Sequence, residues 1–495
     1  MSSSKSSPKR GDKTSFKPVP PFALFYQLTY MSAMAAAGLS RSKTFEIAAL
    51  SGSPAARYFA AINILVDEFR FDYPEACRRI GAQARSENMR SFLLRLSDAL
   101  RSGEPLADFL AREAEVQAAD YENKYERNLE ALKQWSNAFS SLVISTALIV
   151  IIQVISSMIY SMNTQMMTGL ISTGVIMASF GAWIIWRSAP REVMTIPAAQ
   201  GAREQRRALS LSRMLLPLGA AAGSVLYVAG IPLGWILIMA AALMLPSGAL
   251  SLISDRRTTK KDEEFSTFLR SSGGMASSTG TTLRDALTKI DLCSFPTLEP
   301  EITRLSTRLQ ALIPPELCWH KFGLESGSRL IADVSSIFYG AVKTGGDPER
   351  VGYLCSLFAA KTTQLRAKRR LVAGTFAALT TVMQAVVAGL MVFVLSIVEN
   401  FTEVVNDLMP ADDAASAGQA QMNMAMASLS PGDLQYLSAI TISMILLLAL
   451  IAAAAIIAAD GGLKIKITFY LAVTTLISGV CFLAVPPLVD QILTM

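Results

Sequence analysis

The sequence predicts an all-α fold: a polytopic membrane protein with about seven transmembrane helices and two cytoplasmic helical-bundle domains in internal repeat. Three observations carry this expectation. Only 17% of the 495 residues are charged while 52% are hydrophobic, against about 25% charged in ordinary soluble domains. The charge is missing from a few long stretches and dense between them. The basic residues also sort to one side of those stretches.

A charged side chain in the bilayer centre is costly, and a spanning helix needs about 20 mainly apolar residues. Gln134–Trp186 holds 53 residues without Asp, Glu, Lys or Arg, enough for a helical hairpin that turns at Ser161-Met162-Asn163-Thr164-Gln165. Met214–Ser254 holds 41, turning near Gly230-Ile231-Pro232. Leu371–Val398, Leu434–Ala459 and Ile467–Val489 hold 28, 26 and 23 and supply one span each.

With the N-terminus inside, the outer segments are 161–168, 229–232, 399–433 and 490–495, and they contain no Lys or Arg. All 45 basic residues then fall inside, while Glu399, Glu403, Asp407, Asp412, Asp413, Asp433 and Asp490 fall outside. That asymmetry predicts a cytoplasmic N-terminus and an outer C-terminus in the cell membrane. The inner surface carries an excess of positive charge, which suits anionic lipid or an acidic partner. Met1–Lys17 is rich in Ser, Lys and Arg and is followed by no apolar core of a signal peptide.

The expected organisation is a disordered basic tail at 1–20, a helical domain at 21–137 and four spans at 138–254 with a cytoplasmic loop at 187–213. A second helical domain follows at 255–370, then three spans at 371–495 with an acidic outer loop at 399–433. Both domains show apolar residues at helical spacing, as in Phe92, Leu93, Leu96 and Leu100, and neither shows alternating strands. The domains read as copies. Gly38 and Gly103 are 65 residues apart, as are Gly280 and Gly345, and both pairs are offset by 242. Under that offset Leu96 meets Phe338, Leu100 meets Val342, Arg101 meets Lys343 and Arg127 meets Arg369. Glycine suits the left-handed residue that commonly ends a helix. Each copy closes with a charged helix, Tyr121–Lys133 or Lys361–Arg370, that runs directly into a span.

The repeated unit resembles the type II secretion F domain of filament and secretion platform proteins. The resemblance rests on Met34-Ala35-Ala36-Ala37-Gly38-Leu39-Ser40 with its counterpart Gly280-Thr281-Thr282-Leu283-Arg284-Asp285-Ala286-Leu287. It rests also on Leu100-Arg101-Ser102-Gly103-Glu104-Pro105 with Val342-Lys343-Thr344-Gly345-Gly346. It covers residues 21–489 when both copies and their spans are counted. Two domains joined by extra hairpin spans are more similar to the archaellum and archaeal pilus branch than to bacterial members or to the Tad C and B proteins. The short outer loops leave the choice between archaellum and pilus open. The resemblance implies a platform that hydrolyses nothing itself, contacts a cytoplasmic hexameric ATPase, handles pilin or archaellin-like subunits and forms a homodimer.

Docking to a motor calls for charge on the cytoplasmic face. Arg203, Arg206 and Arg207, with Arg213, lie between the hairpins; Arg256, Arg257, Lys260 and Lys261 open the second domain; Arg366, Lys368, Arg369 and Arg370 close it. The same residues satisfy the positive-inside rule by anchoring helix ends to anionic headgroups. Within the spans, Gln153 and Gln384 are placed to bond between helices, and the small residues Gly219–Gly223 and Ala452–Ala455 permit close packing or a groove for another helix.

Several activities find no support. The cysteines Cys77, Cys293, Cys318, Cys355 and Cys481 form no C-x-x-C pair, and His320 is the single histidine, so a zinc site is not expected. Lys43-Thr44 lacks the phosphate-loop glycines, Ser42 and Ala37 standing in their places. No cofactor, catalytic site or nucleic-acid partner is expected. A transporter would carry ionisable residues or broken helices at the midplane, and a scaffold unrelated to filaments is the remaining alternative.

Overall fold

The computed structural model describes residues 18–159, 164–190, 192–197, 201–408 and 431–493. The expected basic tail lies outside the described residues as far as position 17, as do 409–430 of the outer loop and 160–163 of the first hairpin turn. Among the described residues the only strand-type pairing is an isolated bridge between Thr195 and Ser328.

The first copy runs α1 (Pro21–Ala36), α2 (Arg41–Ala49), α3 (Ala56–Asp67), α4 (Tyr73–Gln83), α5 (Glu87–Ser102) and α6 (Leu106–Ile159). Then come α7 (Thr164–Ser188), α8 (Arg203–Val228) and α9 (Leu233–Thr279). The second copy continues with α10 (Leu283–Lys289), α11 (Glu299–Gln310), α12 (Pro315–Ser326), α13 (Arg329–Lys343) and α14 (Pro348–Leu408). The chain closes with α15 (Pro431–Asp460) and α16 (Ile467–Leu493). The helices starting at Arg41, Tyr73, Glu87 and Leu106 each have a counterpart starting 242 residues later, at Leu283, Pro315, Arg329 and Pro348. The same offset relates the left-handed residues Gly38 and Gly280, Gly103 and Gly345, and the two non-glycines Arg70 and Leu312, both at φ 58.

Local chemistry sets these boundaries in the same way twice. The Ser40 hydroxyl accepts from the Lys43 amide and the Thr282 hydroxyl from the Asp285 amide, both at 3.4 Å, capping α2 and α10. Gly103 at φ 77 ends α5 by letting the chain turn left-handed. Ahead of α14, Pro348 takes the first helical position and the Asp347 carboxylate accepts from the amides of Glu349 and Arg350 at 3.3 Å.

The chain divides into two compact units. The first takes residues up to Lys124, Asp262–Gly323 and Ile331–Thr362, so both copies contribute to it. Its α5 buries Met89, Phe92, Leu93, Leu96 and Leu100, one stripe at helical spacing. Each such side chain contributes about 1.5–3 kcal/mol of burial. α4 crosses α5 at Gly81, where an added Cβ would stand 3.1 Å from the Leu93 Cβ. α12 repeats the crossing on α13 at Gly323, 2.7 Å from the Ala332 Cα. α1 is buried on nearly every side: Leu24, Leu28 and Met31 join the core of their own copy, while Phe25 packs on Phe358 of α14 at 4.6 Å.

The second unit takes Tyr125–Lys261, Leu324–Leu330 and Thr363 onward. Six helices among the described residues are long and apolar enough to cross a membrane: α6, α8, α9, α14, α15 and α16. α7, 25 residues long, stands where the second of the expected spans lies and is not among the six. α9 and α16 approach closely through glycine. A Cβ on Gly234 would meet the Gly479 carbonyl at 3.0 Å, and one on Gly248 the Phe469 Cα at 2.5 Å, the small-residue contact that membrane helices use in place of hydrophobic burial. The Gln384 amide bonds to the Ile445 carbonyl and the Ser478 hydroxyl, both at 3.4 Å, tying α14 to α15 and α16. Gln153 is buried in α6.

Candidate docking surface

The three basic clusters do not share one fate. Arg203, Arg206, Arg207 and Arg213 are exposed and fall on one side of α8, because spacings of three, four and seven residues recur on one helical face. Among them Glu204 pairs with Arg257 and joins this face to α9. Arg256, Arg257 and Lys260 are exposed as well, while Lys261 is buried. These seven cations are exposed, and those on α8 and α9 are linked through the Glu204–Arg257 pair.

Gln205, hidden inside the first cluster, is fully buried. Its amide donates to the Gly327 carbonyl at 3.3 Å. The preceding segment runs alongside the same turn, with the Ile196 amide on the Gly327 carbonyl and the Arg329 amide on the Met194 carbonyl, each at 3.2 Å. Residues 194–197 and Gln205 therefore act as a strap over the α12–α13 turn. Gly327 sits at φ 76, and an added Cβ would stand 2.7 Å from the Gln205 amide nitrogen.

The third cluster is largely interior. Arg366 donates through Nε to Glu192 at 2.9 Å, with both side chains under 5% exposed. Arg369, 2% exposed, donates to the carbonyls of Ala459 and Pro190 at 2.8 Å and of Ala458 at 3.3 Å. It thereby satisfies the open C-terminal carbonyls of α15. Gly461 makes room for it, since a Cβ there would overlap the guanidinium. Docking through Arg366 or Arg369 would require opening this network. Lys368 pairs with Glu126 of α6, and Arg370 is half-buried.

A second interior charge group, which nothing in the sequence pattern marks, joins Lys466 to Asp255 at 2.8 Å and to Asp460. It fastens the middle of α9 and the end of α15 to the turn before α16. Two thiols are inert by burial: Cys77 and Cys355 are each pushed up to about 12 by desolvation. No group of three or more His, Cys, Asp or Glu that could hold a metal exists among the described residues.

Residues 28–154, from mid-α1 through the first span, match the family described as type II secretion system (T2SS), protein F. The corresponding part of the second copy carries the same helices in the same order. The first copy thus carries a match to the type II secretion F domain. The chain is similar to Flagella accessory protein J of Methanocaldococcus jannaschii, 27% identical over 61% of this chain and 56% of that protein. It is also similar to Flagella accessory protein J of Methanococcus voltae, 23% identical over 62% of this chain and 57% of that protein. The chain thus matches little more than half the length of these relatives. No solved structure matches it. The matched domain and the six apolar helices make the chain a multi-pass membrane protein.

Proposed function

We propose that the chain is the membrane platform of an archaellum or type IV pilus-like filament machine. It couples a cytoplasmic ATPase hexamer to the insertion of pilin or archaellin-like subunits. The observation that carries this reading is that each copy of the F-domain unit runs without a break into an apolar helix, α6 of 54 residues and α14 of 61. A load applied to either copy would be transmitted along a rigid rod. The exposed cations of α8 and α9 are the docking surface for the motor, and α8 offers Met214, Leu218, Val225 and Val228 as a lipid-side track for a subunit helix. The N-terminus is cytoplasmic, seven spans cross the membrane and the C-terminus is outside.

The test is recruitment. Arg203→Glu, Arg206→Glu and Arg207→Glu together are expected to abolish co-purification of the co-encoded ATPase with the solubilised protein, while the platform itself still inserts and folds. Unchanged recruitment would refute the docking assignment. The orientation has a native probe in Cys293, exposed in the second copy. A membrane-impermeant maleimide is expected to label it in inverted vesicles and not in intact cells, and the opposite pattern would reverse the topology.

A further inference from the structure

Helices α6 and α14 occupy the same place in the two copies, and they also touch one another at equivalent residues. In the first unit Arg350 reaches Asp108 at 3.5 Å, a pair separated by the repeat offset of 242. In the second unit Lys368 pairs with Glu126, again across 242 residues. A residue meets its own counterpart only beside the axis of a two-fold arrangement. Between the two pairs, Lys361 bonds to Glu122, so numbering rises along both helices together and the two run parallel. This is the geometry of a dimer interface whose axis follows the helices.

The charges are divided by copy. The carboxylate of every one of these pairs lies on α6 and the cation on α14. Residues 106–128 hold six carboxylates and three cations, whereas the corresponding 348–370 hold one carboxylate and six cations. Two α6 helices brought together this way would place Asp108 on Asp108 and Glu126 on Glu126, and two α14 helices would oppose Arg350 and Lys368 to themselves. Like charges at such contacts disfavour the wrong pairing as effectively as opposite charges favour the right one.

We infer that the α6–α14 contact is a dimer interface closed within one chain, whose charge division specifies copy one against copy two and excludes pairing of like copies. A single chain is then already the two-domain unit. Any homodimer of the whole chain must use a different surface.

The test uses the full-length protein in its native membrane, with exposed Cys293 replaced by Ser. Cysteines at Asp108 and Arg350 are joined by a short bis-maleimide. The expected product has the mass of one chain; a product of two chains would overturn the inference. In the same background Glu122→Lys with Glu126→Lys is expected to lower the cross-linking yield severalfold. Adding Lys361→Glu and Lys368→Glu is expected to restore it. A yield indifferent to the first pair of changes, or not recovered by the four together, would show that the charge division specifies nothing. Because the fourfold variant exchanges the charges without removing any, loss of folding in the twofold variant alone does not hide the answer.

Discussion

Arg127 and Arg369 stand 242 residues apart at the same point of the helix that closes each copy. Arg127 is exposed on α6. Arg369 is buried and holds three backbone carbonyls from two other segments. The same contrast separates Lys124, whose ammonium reaches Asn88 at 3.2 Å, from its counterpart Arg366, buried against Glu192. It separates the turn at Arg85, exposed on the first copy, from the turn at Gly327 under its strap. The helices and their spacing repeat, while the use of equivalent cations does not. What differs is the neighbourhood: α14 meets the end of α15 and the segment before α8 at Arg369, whereas Arg127 on α6 faces outward, exposed. A repeat therefore fixes where a side chain leaves the helix, and the surrounding helix ends decide whether it serves as a surface charge or an internal clamp.

Breaking the clamps should expose that difference. Arg366→Met leaves Glu192 buried without its cation and should cost about 3–5 kcal/mol, whereas Lys124→Met should cost well under 1 kcal/mol. Thermal unfolding of the two variants in detergent makes the comparison. Arg369→Ala leaves several interior carbonyls without donors and should cost about 3 kcal/mol, against about 0.5 kcal/mol or less for Arg127→Ala. Next in size, Gly327→Ala forces a side chain into a left-handed position beside Gln205 and should cost about 1–2 kcal/mol. Faster amide exchange at 192–197 would accompany it, while Arg85→Ala should leave exchange there unchanged. A variant set in which the two copies respond equally would dissolve the contrast. One substitution should instead act alike on both. Arg70→Gly and Leu312→Gly relieve the same left-handed backbone, and each should raise stability by about 1 kcal/mol.

The repeat was legible because glycine marks left-handed helix ends, so Gly38, Gly103, Gly280 and Gly345 carry the offset in plain residue type. The helices entering the membrane were legible because charge stops abruptly after Lys133 and Arg370. Arg70 and Leu312 carry the same backbone conformation with no glycine to announce it, and their kinship emerges only from geometry. Gln205 was masked by the arginines around it, since an amide that binds a carbonyl 122 residues away leaves no periodic trace. The Arg366–Arg370 run looked like one surface patch for the converse reason. Consecutive residues on a helix point in different directions, and the sequence does not say which direction holds another helix end. The Asp255–Lys466–Asp460 group joins α9 to a turn 211 residues further on, so no local pattern could assemble it.

The smallest expected difference between the copies is in their response to pH at the surface. In the first copy the Arg79 guanidinium, through its hydrogen bond, holds Glu75 below its ordinary value of 4.5. In the second, the Glu316 carboxylate, again through a hydrogen bond, holds Lys343 above its ordinary value of 10.5. A lowered carboxylate contributes stability that is present above the unfolded value and is lost as pH falls through the folded one. A raised lysine contributes stability that is present below the unfolded value and is lost as pH rises through the folded one. The first copy should therefore loosen at Glu75 on the acid side and the second at Lys343 on the alkaline side, both weakly and both less so at high salt. Amide exchange at α4 and at the end of α13, followed from acid to alkali, should show these two onsets at opposite ends of the range. Glu75→Gln should remove only the acid one and Lys343→Gln only the alkaline one. A shared onset would mean that the pairs do not set the local pH response, and that the copies differ only in the buried contacts made by α14.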